Sequence, residues 1–250
     1  MTKIIWCRSL GGRPAEEVAV ADDLTALAAK ALGWVADGAR IGLGTGHTVE
    51  PFLEALAGRV SAGLRVRGVP TSEATACRAR SLGIPLDTLD AAEPLDLTID
   101  GADEVEQATL NLIKGWGGAL VRERIVAAAS RRQIILATAE KLVDRLGARG
   151  KLPVEVLPFA APFCRRKIEQ LSGFGRLRPV PRGGADQPFV SDNGNWILDC
   201  AIEPQSDPAA LERALRAIPG VVDTGLFLDT ASLVLVAQAG NVLELRRPSN

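Results

Sequence analysis

Short apolar runs and longer amphipathic stretches alternate along this chain, and the alternation predicts its elements. Leu24, Leu27, Ala28, Ala31, Leu32 and Val35 recur at helical spacing, so a helix capped by Asp22-Asp23 is predicted to run to about Gly38. Residues 40–43 read as a short strand and "GTGHT" as a loop. Thr48 reads as the N-cap of a helix to about Leu56, with Pro51 tolerated in its first turn. The unit then repeats: a strand at 64–69, a turn and cap at Thr71-Ser72, and a helix at 73–82 stopped by Gly83. Further strands follow at 95–99 and 133–137, with a helix at 120–130 between them. Such alternation implies an α/β fold, a parallel sheet with helices on both faces. Residues 1–20 show no clear period and read as a loose extension.

Near Lys151 the pattern changes. "LPVEVLPF" is a strand with a proline at its start, 162–171 a helix stopped by Gly173, and "RLRPV" a strand. "PFVSDNGNWILDC" reads as a hairpin with Asn193-Gly194 as its type I′ turn. Ser206-Asp207-Pro208 supplies a cap and first-turn proline for a helix to Ile218, and "VVDTGLF" is a strand. This order approximates β-α-β-β-α-β with one extra hairpin strand, a ferredoxin-like α+β arrangement. The segment 232–238, "SLVLVAQ", is apolar enough for a fully buried strand and is placed back in the first sheet. The chain thus divides into a parallel-sheet domain, residues 1–150 plus 225–250, and a smaller inserted domain, residues 151–224.

Composition narrows the classes of function. With 250 residues, 47% of them hydrophobic, the chain can bury a sizeable core. A net charge of −1 and no dominant run of Lys or Arg argue against a nucleic-acid partner. No apolar run is long enough to span a bilayer, which argues against a membrane partner, and the N-terminus lacks the apolar core of a signal peptide. The scattered cysteines, Cys7, Cys77, Cys164 and Cys200, include no C-x-x-C pair and read as reduced thiols of a cytoplasmic protein. One histidine and dispersed cysteines argue against a zinc site.

An open parallel sheet binds ligands outside the carboxyl ends of its strands. "GTGHT", "TS", "DGAD" and "TAEK" all fall at predicted strand ends, so sequence order alone gathers them at one rim. In "GLGTGHTV", His47 stands where the dinucleotide fingerprint needs Gly or Ala, and no Lys precedes the Thr as a Walker loop requires. What remains is a set of backbone N–H groups with the Thr45 and Thr48 hydroxyls, which suits one phosphate; a plain strand-to-helix turn is the alternative. Asp100 and Asp103, with Glu104 adjacent, could bind a metal, bind sugar hydroxyls or perturb one another, or could simply cap a solvated turn. Asp100 ends a buried strand, where a carboxylate is costly without partners. "KGWGGALVRE" supplies Lys114, a glycine-rich turn and Glu123. Those are the parts a carbanion-forming reaction needs: a carboxylate base, and a cation with N–H groups for the developing oxyanion. Arg122 and Arg124 read as a solvated helix face, one of them possible as a partner of Glu123. Lys141, after a strand end, could reach a phosphate.

"GLGTGHT", "TSEAT", "DLTIDGADEV", "NLIKGWGGALVRERIVA", "AEKLVDRLG", "KLPVEVLPFA", "SDNGNWILD" and "IPGVVDTGLF" occur in this order from about residue 22 to the C-terminus. In these motifs the chain resembles the type A ribose-5-phosphate isomerases. The resemblance implies a Rossmann-like domain with an inserted ferredoxin-like domain, a homodimer or homotetramer, and cofactor-free, metal-free interconversion of D-ribose 5-phosphate and D-ribulose 5-phosphate through a cis-enediolate. It implies that Glu123 is the general base and that Lys114, with N–H groups of the Gly115, Trp116, Gly117 and Gly118 turn, steadies the enediolate oxygen. Asp100 and Asp103, with Gly101 and Ala102 between them, would meet substrate hydroxyls, and Asp100 would assist ring opening. Thr45, Gly46, His47 and Thr48, with Lys141, would form the phosphate and sugar wall. His47 replaces the family's usual Ser, Trp116 a Gly, and Arg124 a Lys, and the N-terminal extension is longer than the pattern requires. A deaminase of related fold would need its own acid-base histidine. A sugar-phosphate sensor would need a DNA-binding module that residues 1–21 are too few to form, and a CoA transferase would need a far larger pocket.

Overall fold

A computed structural model describes residues 15–89 and 93–247. Along the chain, α1 (Ala15–Leu32) leads to β1 (Ala39–Leu43), α2 (Glu50–Ser61), β2 (Val66–Pro70), α3 (Glu73–Ser81) and β3 (Leu97–Gly101). Two short strands, β4 (Glu104–Glu106) and β5 (Leu112–Ile113), precede α4 (Leu120–Ala128), β6 (Gln133–Thr138) and β7 (Leu142–Val143). Then come β8 (Lys151–Val156), α5 (Ala161–Glu169), β9 (Arg178–Pro181), β10 (Trp196–Ala201), α6 (Pro208–Arg216), β11 (Val221–Thr224) and β12 (Leu226–Phe227). The chain closes with β13 (Leu233–Gln238) and β14 (Asn241–Leu245).

The main sheet has the order β14-β13-β6-β3-β1-β2 and is parallel except for β14 at one edge. β13 returns to it as expected, in parallel register with β6. Alternate residues of the central strands face opposite sides, and both sides are buried. Ile134, Leu136, Leu233 and Leu235 pack with α1 and α2, while Ile135, Ala137, Val234 and Val236 pack the other way. That second face is covered by Leu120 of α4 and by Val105, Leu112 and Phe227 of a small sheet, β12-β5-β4-β7, that periodicity did not predict. β2 and β3 flank β1 on opposite sides. The chain therefore switches direction between β1 and β3, and a crevice opens at their carboxyl ends.

The third sheet, β11-β8-β10-β9, is fully antiparallel, and its elements follow the βαββαβ order. The predicted extra hairpin strand is absent. Residues 190 and 196 meet only as a single bridge, and β10 pairs instead with β8 and β9. The turn is also of another type: Gly194 donates to the Ser191 carbonyl, and Gly194 alone has a positive φ, +78°, so Asp192-Asn193 form the turn's centre. "VVDTGLF" divides at Gly225 into two strands of different sheets.

Three boundaries differ at the N-terminal end. α1 passes through Asp22-Asp23 rather than starting there, because helix-forming residues continue upstream to Ala15. It ends at Leu32, after which Gly33, Trp34 and Val35 close tight turns. The predicted loose extension is thus helical over 15–20, and residues 1–14 lie outside the described residues. Thr48 does not cap α2. Val49 holds that position without a side-chain bond, and the Thr48 hydroxyl accepts from Lys141 instead. Ser72 and Asp207 do cap α3 and α6, accepting from the N–H groups of Thr75 and Ala210. Cys164 and Cys200 are buried free thiols and Cys77 an exposed one, while Cys7 lies outside the described residues.

Candidate active site

A cavity of about 370 Å³ lies at the crevice between β1 and β3. Thr45, Gly46, His47 and Thr48 line it from the loop after β1, and Gly101, Ala102 and Asp103 from the end of β3. Lys114, Gly115, Trp116 and Gly117 enter after β5, Glu123 from the first turn of α4, and Lys141 from the turn after β6. Asp100, Glu104, Gly118, Arg122 and Arg124, also singled out in the sequence, do not line the cavity.

Asp100 stands directly behind the wall, with no exposed surface. Its Oδ1 accepts from the N–H groups of Thr45, at 3.1 Å, and Gly101, at 2.8 Å. Gly44 makes this approach possible, since a Cβ there would lie 2.2 Å from Asp100 Oδ1. Its carboxylate thus anchors the glycine loop and faces Lys114. The Lys114 ammonium, 1% exposed, sits 3.0 Å from Asp100 Oδ2 and 3.5 Å from Glu123 Oε2, and donates to the Gly101 carbonyl at 2.5 Å. Burial works against that charge, but the two carboxylates outweigh it and hold the Lys114 pKa above its ordinary value.

Glu123 is 4% exposed, and its Oε2 has no aligned hydrogen-bond donor. Burial pushes its carboxyl up to about 8; Lys114 pulls it down, and Asp100 and Asp103 push it further up. A carboxyl tuned to this range and left without a donor is suited to taking and returning a proton near neutral pH. Burial also raises the carboxyl of Asp103, against the Trp116 N–H that donates to its Oδ2 at 2.9 Å. Glu104 turns away, accepting from the N–H groups of Gly147 and Arg149.

The loop after β1 divides its work. The Thr45 hydroxyl sits in a cluster with Thr71, Ser72 and Thr75, at 2.8 to 3.0 Å. Thr48 Oγ1 accepts from Lys141 Nζ at 2.9 Å, and burial lowers the pKa of that ammonium. His47 is exposed at the rim. The glycine-rich turn offers fewer donors than its sequence suggested. Trp116 N–H goes to Asp103 and Gly118 N–H to the Gly115 carbonyl, so Gly115 and Gly117 keep the N–H groups without a partner among the described residues. The Trp116 side chain points out of the cavity. Its indole N–H donates to the Lys151 carbonyl, and Arg149 and Lys151 stack on its ring.

Neither arginine beside Glu123 is a solvated face or its partner, which corrects that expectation. Arg122 bonds Glu73, Asn193 and the Asp192 carbonyl. Arg124 bonds Asp223 and the carbonyls of Thr224 and Leu226, with its guanidinium over the Phe227 ring. Sequence reasoning missed Arg182, whose guanidinium grips the carbonyls of Gly115 and Trp116 from the antiparallel sheet. Nothing in its local pattern distinguishes it from a surface arginine.

The family model described as ribose 5-phosphate isomerase A (phosphoriboisomerase A) matches residues 67–241. A ribose-5-phosphate isomerase A of Roseiflexus sp. is 52% identical over 221 residues, 88% of this chain and 93% of that protein. A solved structure of ribose 5-phosphate isomerase A from Methanocaldococcus jannaschii is 37% identical, covers 91% of this chain and 99% of its own, and superposes with a TM-score of 0.84. A D-ribose-5-phosphate isomerase solved in complex with phospho-erythronic acid is 36% identical, with coverage of 91% and 99% and the same TM-score of 0.84. Matches of this extent in sequence and in fold place the chain in the ribose-5-phosphate isomerase A family.

Proposed function

We propose that Glu123 is the base that moves the proton in this chain's aldose–ketose isomerisation. The family interconverts ribose 5-phosphate and ribulose 5-phosphate in the pentose phosphate pathway, and this chain is an enzyme of that class. Lys141, the Thr48 hydroxyl and the loop at Gly46-His47 take the phosphate, with His47 as a further contact at the rim. Asp103, on the wall, takes sugar hydroxyls. Glu123 removes the proton from C2 of the open-chain aldose, the charge passes to the C1 oxygen of a cis-enediolate, the hydroxyl proton moves from the C2 oxygen to the C1 oxygen, and Glu123 returns its proton to C1 as the C2 carbonyl forms.

Lys114 makes the step favourable through its inventory of protons. One N–H donates to the Gly101 carbonyl, and the ammonium lies 3.0 Å from Asp100 Oδ2 and 3.5 Å from Glu123 Oε2 without an aligned bond to either. When Glu123 accepts the proton it becomes neutral, and a negative charge appears on the substrate instead. An N–H not taken by the Gly101 carbonyl meets that charge, so the interaction strengthens as the transition state forms. The Gly115 and Gly117 N–H groups supply the remaining donors. Asp100 acts through Lys114 and the loop rather than on the sugar. Phospho-erythronic acid, in complex with one solved relative, pairs a phosphate with a carboxylate, the same two kinds of anionic group that this reading assigns to Lys141 and Lys114.

The observation that carries the reading is Glu123: buried, without an aligned donor, 3.5 Å from Lys114 and on the cavity wall. Glu123→Gln is expected to lower kcat by about 10³-fold and to abolish solvent hydrogen exchange at C2, with KM for ribose 5-phosphate within about threefold. Exchange persisting in the variant would overturn the assignment.

The same reading includes a cytoplasmic location and a homodimer or homotetramer, which sedimentation would decide. It also includes the division into residues 1–150 plus 225–250 and residues 151–224. In support of that division, Gly225 separates strands of two sheets, and no helix among the described residues is long and apolar enough to cross a membrane.

A further inference from the structure

We infer that Arg182 is a positioning residue for the oxyanion site: it grips the outer side of the glycine-rich turn and thereby aims the Gly117 N–H into the cavity. This rests on the reading above, in which that turn meets the enediolate oxygen.

The argument begins with the peptide unit. In a planar trans peptide the C=O of one residue and the N–H of the next point in opposite directions. Arg182 Nη2 donates to the Gly115 carbonyl at 3.2 Å, and Nη1 donates to the Trp116 carbonyl at 3.0 Å. The partnered N–H groups therefore face away from Arg182, towards the cavity. One of them, Trp116 N–H, holds Asp103 Oδ2 at 2.9 Å. The other, Gly117 N–H, has no partner among the described residues, and Gly117 lines the cavity. One guanidinium thus sets both the carboxylate that takes hydroxyls and a donor for the oxyanion.

Arg182 is itself fixed from three directions. Asp199 accepts from Nε at 3.0 Å and from Nη2 at 2.6 Å, a two-point pairing only a planar fork can make. The backbone of Arg182 exchanges hydrogen bonds with Ile197 and Phe189. The Phe189 ring, which lies near the guanidinium, packs so closely on Gly118 that a Cβ there would come within 2.6 Å. A lysine could keep the charge, but its three N–H donors could not make these four hydrogen bonds.

The test compares Arg182→Lys, Arg182→Met and Asp199→Asn with the full-length wild-type enzyme. Two inhibitors serve as probes: phospho-erythronic acid, which carries both a phosphate and an anionic oxygen end, and inorganic phosphate, which lacks the second. Arg182→Lys is expected to lower kcat about 10- to 100-fold with KM nearly unchanged, the cost of a small misplacement of a catalytic donor. It should weaken inhibition by phospho-erythronic acid by a similar factor and leave inhibition by phosphate alone. Asp199→Asn, which frees the guanidinium to rotate, should move the same ratio in the same direction by less. A merely structural arginine would lower thermal stability and leave the ratio of the two inhibition constants unchanged. An unchanged ratio in folded Arg182→Lys or Asp199→Asn overturns the inference, and an Arg182→Met that fails to fold leaves the decision with those two. The base assignment is judged separately by exchange at C2 in Glu123→Gln, so loss of exchange there with an unchanged ratio here would overturn the role of Arg182 alone.

Discussion

At the scale of single residues, the site is a contest over a few charges in a dry place. Lys114 and Glu123 are each costly to bury; Asp100 and Glu123 make the Lys114 charge tolerable, and Lys114 makes that of Glu123 so. The phosphate end works differently, because the charge there is meant for the ligand. Among the described residues Lys141 has only the Thr48 hydroxyl as a hydrogen-bond partner, and burial lowers its pKa. A phosphate arriving beside it gains an ion pair without displacing one. Lys141→Met is therefore expected to raise KM for ribose 5-phosphate by about 10- to 100-fold, the worth of one charged hydrogen bond, with kcat changed far less. Steady-state kinetics check this, and a loss confined to kcat would remove Lys141 from the phosphate site. These residues were legible because charge at a strand end is conspicuous. Which atoms remain free was not: Thr45 looked like Thr48, yet its hydroxyl is occupied by Thr71, Ser72 and Thr75 from the next unit of the fold.

At the scale of elements, the site depends on segments whose own sequences say little. The loops after β1, β3 and β6 were readable, since each follows a strand whose apolar run is unmistakable. The small sheet that carries Lys114 was not, because strands of two or three residues cannot display a period. Gly225 shows what such a segment does. It links β11 to β12, its carbonyl accepts from Lys114 N–H at 2.9 Å, and a Cβ there would lie 2.4 Å from the Lys114 carbonyl oxygen and 2.9 Å from Pro153. Both obstacles are rigid, so Gly225→Ala must push β5 and Lys114 away from β12. We expect it to cost about 1–3 kcal/mol in stability, as overpacked sites do, and to lower kcat more than it raises KM. Chemical denaturation and kinetics on the same preparation check both parts, and an unchanged kcat in a destabilised enzyme would show that Lys114 is not held through this contact. Arg124 donates to the carbonyls on either side of Gly225, so helix α4, which presents Glu123, and the strand that supports Lys114 are fastened at one point.

At the scale of the molecule, tuning the base has a consequence for the stability of the whole chain. The Glu123 carboxyl, ordinarily near 4.5, is pushed up to about 8 by burial in the folded enzyme. Between those two values the folded state keeps a proton that the unfolded chain has released. Stability therefore falls as pH rises through this window, and the loss is complete above the folded value. Asp103, also raised by burial, acts in the same direction. Carboxylates lowered by their partners, such as Asp37 beside Arg65, act the opposite way, but their contribution is already complete once pH exceeds the ordinary carboxylate range. Lys114 keeps its proton throughout, its pKa being raised. Glutamine at position 123 cannot ionise, so Glu123→Gln removes this one pH-dependent term while its constant cost, a Lys114 short of one counter-charge, stays the same at every pH. The difference in melting temperature, variant minus wild type, should therefore become more favourable to the variant from pH 5 to pH 9, with most of the change between pH 6 and pH 8. Thermal unfolding at several pH values measures it directly. A difference that stays flat across that range would mean that Glu123 ionises as an ordinary carboxylate in the folded enzyme. Its suitability as a base near neutral pH would then have to come from the substrate rather than from the fold.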